Sequence, residues 1–313
     1  MKLSQIAAFG VGPVVSAFFG LITIPILAWA FSPADVGRLN ILQIFISFGL
    51  LLYVLGLDQA YVREYFEVTD RSKLLKACFL PGIALLGATG LISTLFSKKL
   101  AFLMFGMPDS RLYIIALICV FVSFCSRFLS LILRMQGRGL AFSMGQIAPK
   151  VLMLVLVCIA ALGGLGKEFL QLQLIFLCST LVVSIIFLWS TSGQWLPSIS
   201  AVIDIPLTRS VLKFGVPLIF SGMAYWGLAA TSTLVLRSMS TFTEMGIYSV
   251  SMSFAGVATI FQSAFSVVWA PIVYSWVNQG RDMRRVDEVA RQALAVVCLI
   301  VTGCGIFSWL IDY

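Results

Sequence analysis

The chain has 313 residues, 60% of them hydrophobic and 11% charged, with 21 Lys and Arg against 13 Asp and Glu and no histidine; its mean hydropathy is +1.03. No soluble domain has interior enough to hide that much apolar side chain, so the composition predicts an all-α, polytopic membrane protein. The formal charge of +8 is scattered between apolar runs and forms no stripe or known binding module, which argues against nucleic acid and for a positive-inside topology.

Apolar runs of roughly 17–25 residues predict nine spans, at about 8–31, 39–61, 76–97, 112–134, 142–164, 169–190, 214–237, 246–270 and 289–310. Lys2 and the first run look faintly like a signal peptide, but Ile6 to Phe31 is too long for one. Pro13 and Pro25 interrupt the first span, Pro81 the third and Pro217 the seventh. Membrane helices tolerate such breaks when neighbours satisfy the freed carbonyls. With the N-terminus inside, the inner segments hold thirteen basic residues and the outer ones five, which predicts a cytoplasmic N-terminus.

The second span ends on Leu55–Glu67, where Asp58, Arg63, Glu64 and Glu67 gather around Gln59, Tyr61 and Tyr65. Charge at the edge of hydrocarbon is costly, so these groups are expected to face a protein interior, a wet cavity or headgroups. On one continuous helix Gln59, Arg63 and Glu67 share a face, and Asp58, Tyr61 and Tyr65 another. Asp58 and Arg63 lie too far apart around the axis to form one ion pair. Asp58 reads as a carboxylate that binds a coupling proton or sodium ion, or as a helix-end cap or hydrogen-bonding group within the bundle.

The fourth span carries Arg127 and Arg134 on one stripe with Ser130 between them, extended by Arg138 if the helix persists past Gly137. Arg134 can snorkel to headgroups. Arg127 sits roughly 10 Å deeper and either faces a cavity or meets a structural partner on a neighbouring helix. Guanidinium forks suit phosphate oxygens. A cavity with Arg63, Arg127 and Lys150 is therefore a candidate site for a pyrophosphate headgroup, with Arg134, Gln59 and Tyr61 as further candidate contacts.

The segment Ser192–Val211, with Gly193, Pro197, Pro206 and several serines, reads as a linker between a six-span lobe (1–191) and a three-span lobe (214–313), the cytoplasmic linker itself being 192–213. An internal repeat supports the boundary. Phe9-Gly10-Val11-Gly12-Pro13 answers to Phe214-Gly215-Val216-Pro217, Asp35-Val36-Gly37 to Glu244-Met245-Gly246, and Arg71–Lys76 to Arg281–Arg285, at an offset of 205–210 residues. Six intervening spans make the copies run the same way, a transporter signature with the substrate path at their interface. The second copy stops after three spans, so a C-terminally truncated sequence is expected, or a second lobe completed by dimerisation.

Arg237, at the outer end of the seventh span, reads as an interfacial anchor, and Trp269, Tyr274 and Trp276 as an inner aromatic belt. The seven cysteines lie in apolar spans without a C-x-x-C pair, so neither disulfide nor metal site is inferred. No Walker A loop, nucleophile elbow or paired catalytic carboxylates occur, and no cofactor is implied. The expectation is a protein that is not an enzyme.

Several of these stretches carry a resemblance. Leu57-Asp58-Gln59-Ala60-Tyr61-Val62-Arg63, Lys213-Phe214-Gly215-Val216-Pro217-Leu218, Glu244-Met245-Gly246-Ile247-Tyr248-Ser249-Val250, Ala264-Phe265, Trp269-Ala270-Pro271 and Tyr274-Ser275 resemble polysaccharide flippases of the O-antigen type. These belong to the superfamily that also holds multidrug extruders and the lipid II flippase. The chain departs from the pattern in showing nine spans rather than twelve or more. It also has Ser232-Thr233 where many members carry an Asp-Arg pair. The resemblance implies movement of an undecaprenyl-pyrophosphate-linked oligosaccharide across the bacterial inner membrane by alternating access, for lipopolysaccharide or other surface polysaccharide. Implied partners are that substrate, membrane lipids, a polysaccharide polymerase and glycosyltransferases. The rivals are a small-molecule exporter of the same superfamily and a non-functional remnant.

Overall fold

The computed structural model describes residues 3–163, 168–252 and 291. Among them every long regular element is an α-helix: α1 Leu3–Ala30, α2 Pro33–Val54, α3 Leu57–Glu64, α4 Arg71–Thr94, α5 Ser97–Phe105, α6 Ser110–Met135, α7 Gly139–Leu162, α8 Phe169–Ser190, α9 Ser192–Ser200 and α10 Ile205–Met239. Six of these, α2, α4, α6, α7, α8 and α10, are long and apolar enough to cross a membrane, and α1 adds the apolar stretch Val15–Ala30. They overlap the first seven expected spans. The eighth is described only as far as Met252, and the ninth, the aromatic belt and the Arg281–Arg285 loop lie, Arg291 apart, outside the described residues.

Helix starts follow local polar chemistry. Asp70 Oδ1 accepts from the backbone N–H of Ser72 and Lys73 at 3.1 and 3.2 Å. Asp109 caps α6 through Arg111 N–H at 2.9 Å, and Asp204 caps α10 through Leu207 N–H at 2.9 Å. Each satisfies donors that a helix leaves orphaned in its first turn.

The outward surfaces need hydrocarbon. Leu91, Ile159, Leu162, Ile186 and Trp189 all stand largely exposed on α4, α7 and α8. Apolar patches of that extent are not sustained in water, and helices satisfy their own backbone groups in lipid. The chain is a multi-pass membrane protein on these grounds.

Inside, α1 lies along α7, α6 packs on α2 and α8, and α10 packs on α2, α3 and α4. Phe79, Phe124 and Phe128 form an aromatic cluster between α4 and α6, with centroids 5.1–5.4 Å apart. In the same core the buried Gln173 of α8 donates to the Leu112 carbonyl of α6 at 2.8 Å.

Two expectations change. The second apolar run does not continue as one helix: Leu55 and Gly56 both adopt left-handed backbone, at φ 55° and 67°, and α3 sets off separately. The Pro- and Ser-rich stretch after α8, read as a linker, is itself helical over Ser192–Ser200. It folds as α9, and its hydroxyls turn inward on their own helix, as when Ser198 donates to the Gln194 carbonyl at 2.9 Å. Neither segment is long enough to show in a search for membrane-length runs.

Candidate functional site

The repeat first noticed in sequence meets itself in space. Ser32 Oγ accepts from Asp35 N–H at 3.2 Å and donates to Asp35 Oδ2 at 2.6 Å, opening α2. Thr241 Oγ1 accepts from Glu244 N–H, and Glu244 Oε2 from Thr241 N–H, both at 3.3 Å, opening the helical segment 242–252. Both are capping arrangements of the S/T-x-x-D/E kind. Their following glycines sit against each other's helix start. A Cβ on Gly37 would strike the Phe242 carbonyl oxygen, and one on Gly246 the Pro33 carbonyl oxygen. Phe242 and Pro33 hold matching places in the two copies, so the contact is reciprocal, as a local two-fold relation requires.

Side chains close the same end. The guanidinium groups of Arg38 and Arg237 lie 4.9 and 4.4 Å from the Phe242 ring centroid. Arg38 Nε donates to the Phe105 carbonyl and Arg237 Nη2 to the Leu103 carbonyl, each at 3.0 Å. Both carbonyls end α5, where cations are favoured. Arg38 also pairs with Asp35 at 2.7 Å. Arg237, read from the sequence as an interfacial anchor, thus also ties the end of α10 to α5.

Below this closure the α2–α10 seam holds a cavity of about 260 Å³. Asn40 and Gln43 of α2, Thr233 of α10, and Tyr248 and Ser249 of the segment 242–252 add polar, uncharged groups to walls that are otherwise apolar, with Leu27 and Leu39 among them. Pockets for drug-sized ligands run to about 300–1,000 Å³, so this space suits one small polar unit. Further along, the seam is filled. Trp226 Nε1 donates to Ser47 Oγ at 3.0 Å, and its ring lies 4.8 Å from that of Phe48.

The far end of the seam repeats the device. A Cβ on Gly215 would lie 2.6 Å from the Leu55 carbonyl oxygen, and one on Gly56 would strike the Gly215 carbonyl oxygen. Arg63 stacks 4.7 Å from the Phe214 centroid. Both ends of α2 are thus locked to α10 or its continuation by a glycine backbone contact and an arginine–phenylalanine stack.

The candidate residues named from sequence fall into separate places. Asp58 and Arg127 form an ion pair, with Arg127 Nη2 2.7 Å and Nε 3.3 Å from Asp58 Oδ2. The Asp58 side chain is 13% exposed and that of Arg127 53%. Asp58 Oδ1 also accepts from Gln59 N–H at 2.9 Å, and the ion pair ties α3 to α6. Arg63 is exposed and 3.6 Å from Glu64. Gln59 is exposed, whereas Tyr61 is fully buried, edge-on to Tyr65 at 5.6 Å. The Tyr61 hydroxyl has no hydrogen-bond partner among the described residues, and burial raises its pKa above the phenol range.

Arg134 is exposed at the end of α6, and Lys150 is half-buried on α7. Arg138 leaves the stripe: Gly137 turns at φ 73°, and Arg138 donates to the Ser190 carbonyl at 3.0 Å. Neither Arg63, Arg127 nor Lys150 lines the seam cavity, whose charged content is nil among its described lining. Sequence reasoning missed Asn40 and Gln43, whose only signal was polarity inside a membrane-length run, and noted Thr233 only as a departure from the family's Asp-Arg pair.

A family model described as polysaccharide biosynthesis protein matches residues 26–311. No curated protein and no solved structure matches the chain.

Proposed function

The chain belongs to the polysaccharide biosynthesis protein family, and on that premise we propose that it flips a polyprenyl-pyrophosphate-linked oligosaccharide across the cytoplasmic membrane. The observation that carries this reading is the α2–α10 seam: joined at both ends by glycine backbone contacts, with an uncharged, partly polar space between. Such walls suit sugar hydroxyls, which exchange hydrogen bonds with amides and hydroxyls at little net cost. At about 260 Å³ the space admits a sugar unit and not a whole oligosaccharide. Transport therefore requires one closure to open while the other holds. The six-helix lobe (1–191) rocks against the lobe that begins at 214, with the linker 192–213 between them, while the lipid tail stays in the bilayer.

Opening the Gly56 end would unstack Arg63 from Phe214 and free it for the pyrophosphate. Arg127, half-exposed beside Asp58, offers a second guanidinium, and Arg134 and Lys150 add positive potential for an anionic headgroup. Gln59 lies exposed near the same end and serves as a hydrogen-bonding contact. Tyr61 takes part only if α3 moves. Asp58 is the carboxylate available to couple transport to a proton or sodium ion.

In this reading the protein is a transporter and not an enzyme. It uses no cofactor, keeps its N-terminus in the cytoplasm, and hands its cargo to a polysaccharide polymerase after glycosyltransferases have built it. The small cavity also fits a small-molecule exporter. A deletion strain separates the two: lipid-linked glycan accumulating in the inner leaflet supports flipping. Drug sensitivity with normal surface glycan contradicts it, and a strain with no phenotype at all marks a remnant.

A further inference from the structure

A second cavity lies away from the seam and plays no part in the transport reading. It has a volume of about 330 Å³ and sits between α4, α6, α8 and α9. Leu75 to Ile83 line it along α4, a length of about 12 Å. Its walls are almost wholly apolar, with Phe79, Ile83, Cys125 and Phe128 among them, and Lys76 is the one charged residue in the described lining. An apolar groove with a single cation in its wall is matched to an amphiphile whose anionic head meets that cation.

The roof is the segment expected to be a linker. α9 packs on α4 and α8. Leu196 and Ile199 stay exposed, and Val202, Ile203 and Ile205 continue the apolar surface into the start of α10. A short helix with that outer face belongs in the bilayer interface, not in water. The roof is held by Lys76, whose Nζ donates to the Ile199 carbonyl at 2.9 Å and the Ala201 carbonyl at 2.6 Å. An ammonium has three donors, so one remains for a ligand. Arg138, which donates to the Ser190 carbonyl at the α8–α9 junction, adds a second positive charge on that side of the roof.

We propose that this groove is a binding site for an anionic phospholipid of the surrounding bilayer, its acyl chain beside Phe128 and its phosphate at Lys76. Charge complementarity at Lys76 and the apolar walls select a membrane lipid over a soluble peptide or a second copy of the chain. The lipid fills the space under α9 and braces the link between α8 and α10.

The test uses the full chain in phosphatidylethanolamine vesicles with a phosphatidylglycerol bearing a photoreactive group near the end of its acyl chain. Cross-links are mapped by mass spectrometry. The expected labels fall on Ile83, Cys125 and Phe128. Leu80→Trp, at the exposed margin, is expected to lower labelling at least several-fold. Lys76→Gln is expected to keep acyl labelling but erase the preference for phosphatidylglycerol over phosphatidylcholine. Circular-dichroism melts of both variants check folding, and wild-type competition by unlabelled phosphatidylglycerol tests the site without any substitution. Equal labelling by phosphatidylcholine in the wild type overturns the anionic headgroup. Labelling confined to a polyprenyl-phosphate probe assigns the groove to the transported lipid and overturns the proposal, as do cross-links between two copies. None of these outcomes depends on whether the seam transports a glycan.

Discussion

Gly37 and Gly246 stand at matching places after two capped helix starts, and each leaves room for the backbone of the other's helix. A methyl group at either position collides with a carbonyl oxygen, which backbone cannot yield without moving the whole helix. Gly37→Ala is expected to cost about 1–3 kcal/mol through overpacking. It should also raise thiol labelling of an Asn40→Cys reporter in the cavity beneath. A thermal melt in detergent and a maleimide labelling rate check the two effects separately.

At the opposite end, Gly56 carries φ 67° and faces the Gly215 carbonyl. Gly56→Ala adds a left-handed backbone penalty of about 1–2 kcal/mol to a steric clash. It should therefore destabilise more than Gly37→Ala. Gly215→Ala meets the Leu55 carbonyl without the backbone term, so it should fall between wild type and Gly56→Ala in the same melt.

The Asp58–Arg127 pair makes a prediction that separates a strut from a substrate contact. Arg127 is half-exposed, so solvent screening holds the coupling in a double-mutant cycle to about 1 kcal/mol or less. If the pair serves only to tie α3 to α6, Asp58→Asn and Arg127→Gln lower transport equally, and the double variant is no worse than either. If Arg127 also holds the pyrophosphate, Arg127→Gln loses more and raises the KM for substrate, while Asp58→Asn leaves KM in place.

The two helix caps should behave alike. Ser32→Ala and Thr241→Ala each remove a side-chain acceptor from a first turn, at about 1 kcal/mol apiece. Hydrogen exchange at Asp35 and Glu244 amides should quicken in the respective variant and leave the other cap unchanged.

Much of this architecture could be read from the residues because hydrocarbon imposes long uninterrupted apolar runs. Those runs located α1, α2, α4, α6, α7 and α8 to within about two turns and found α10, which starts nine residues earlier than the expected span, with Pro81 and Pro217 inside α4 and α10. Hydropathy failed where packing decided. Ile41–Leu57 is strongly apolar, interrupted only by Gln43 and Ser47, yet the chain turns at Leu55-Gly56, where α10 brings the Gly215 backbone against it. Short helices escaped for want of length, and Pro197 with its serines read as a linker with no helix assigned where α9 forms. Arg127 and Asp58 were each singled out, but nothing local ties a residue of α6 to one of α3. The repeat was visible as Asp35-Val36-Gly37 and Glu244-Met245-Gly246; that the copies touch was not, because contact between distant segments leaves no mark in either one.

The central claim is that cargo passes through a seam that must part between α2 and α10. Ser47 and Trp226, joined at 3.0 Å, mark its filled middle. In proteoliposomes of a cysteine-free background, a reducible bifunctional thiol reagent joining Ser47→Cys to Trp226→Cys is predicted to stop flipping of a fluorescent lipid-linked oligosaccharide, with activity returning on reduction. Undiminished flipping in the fully cross-linked protein would contradict it.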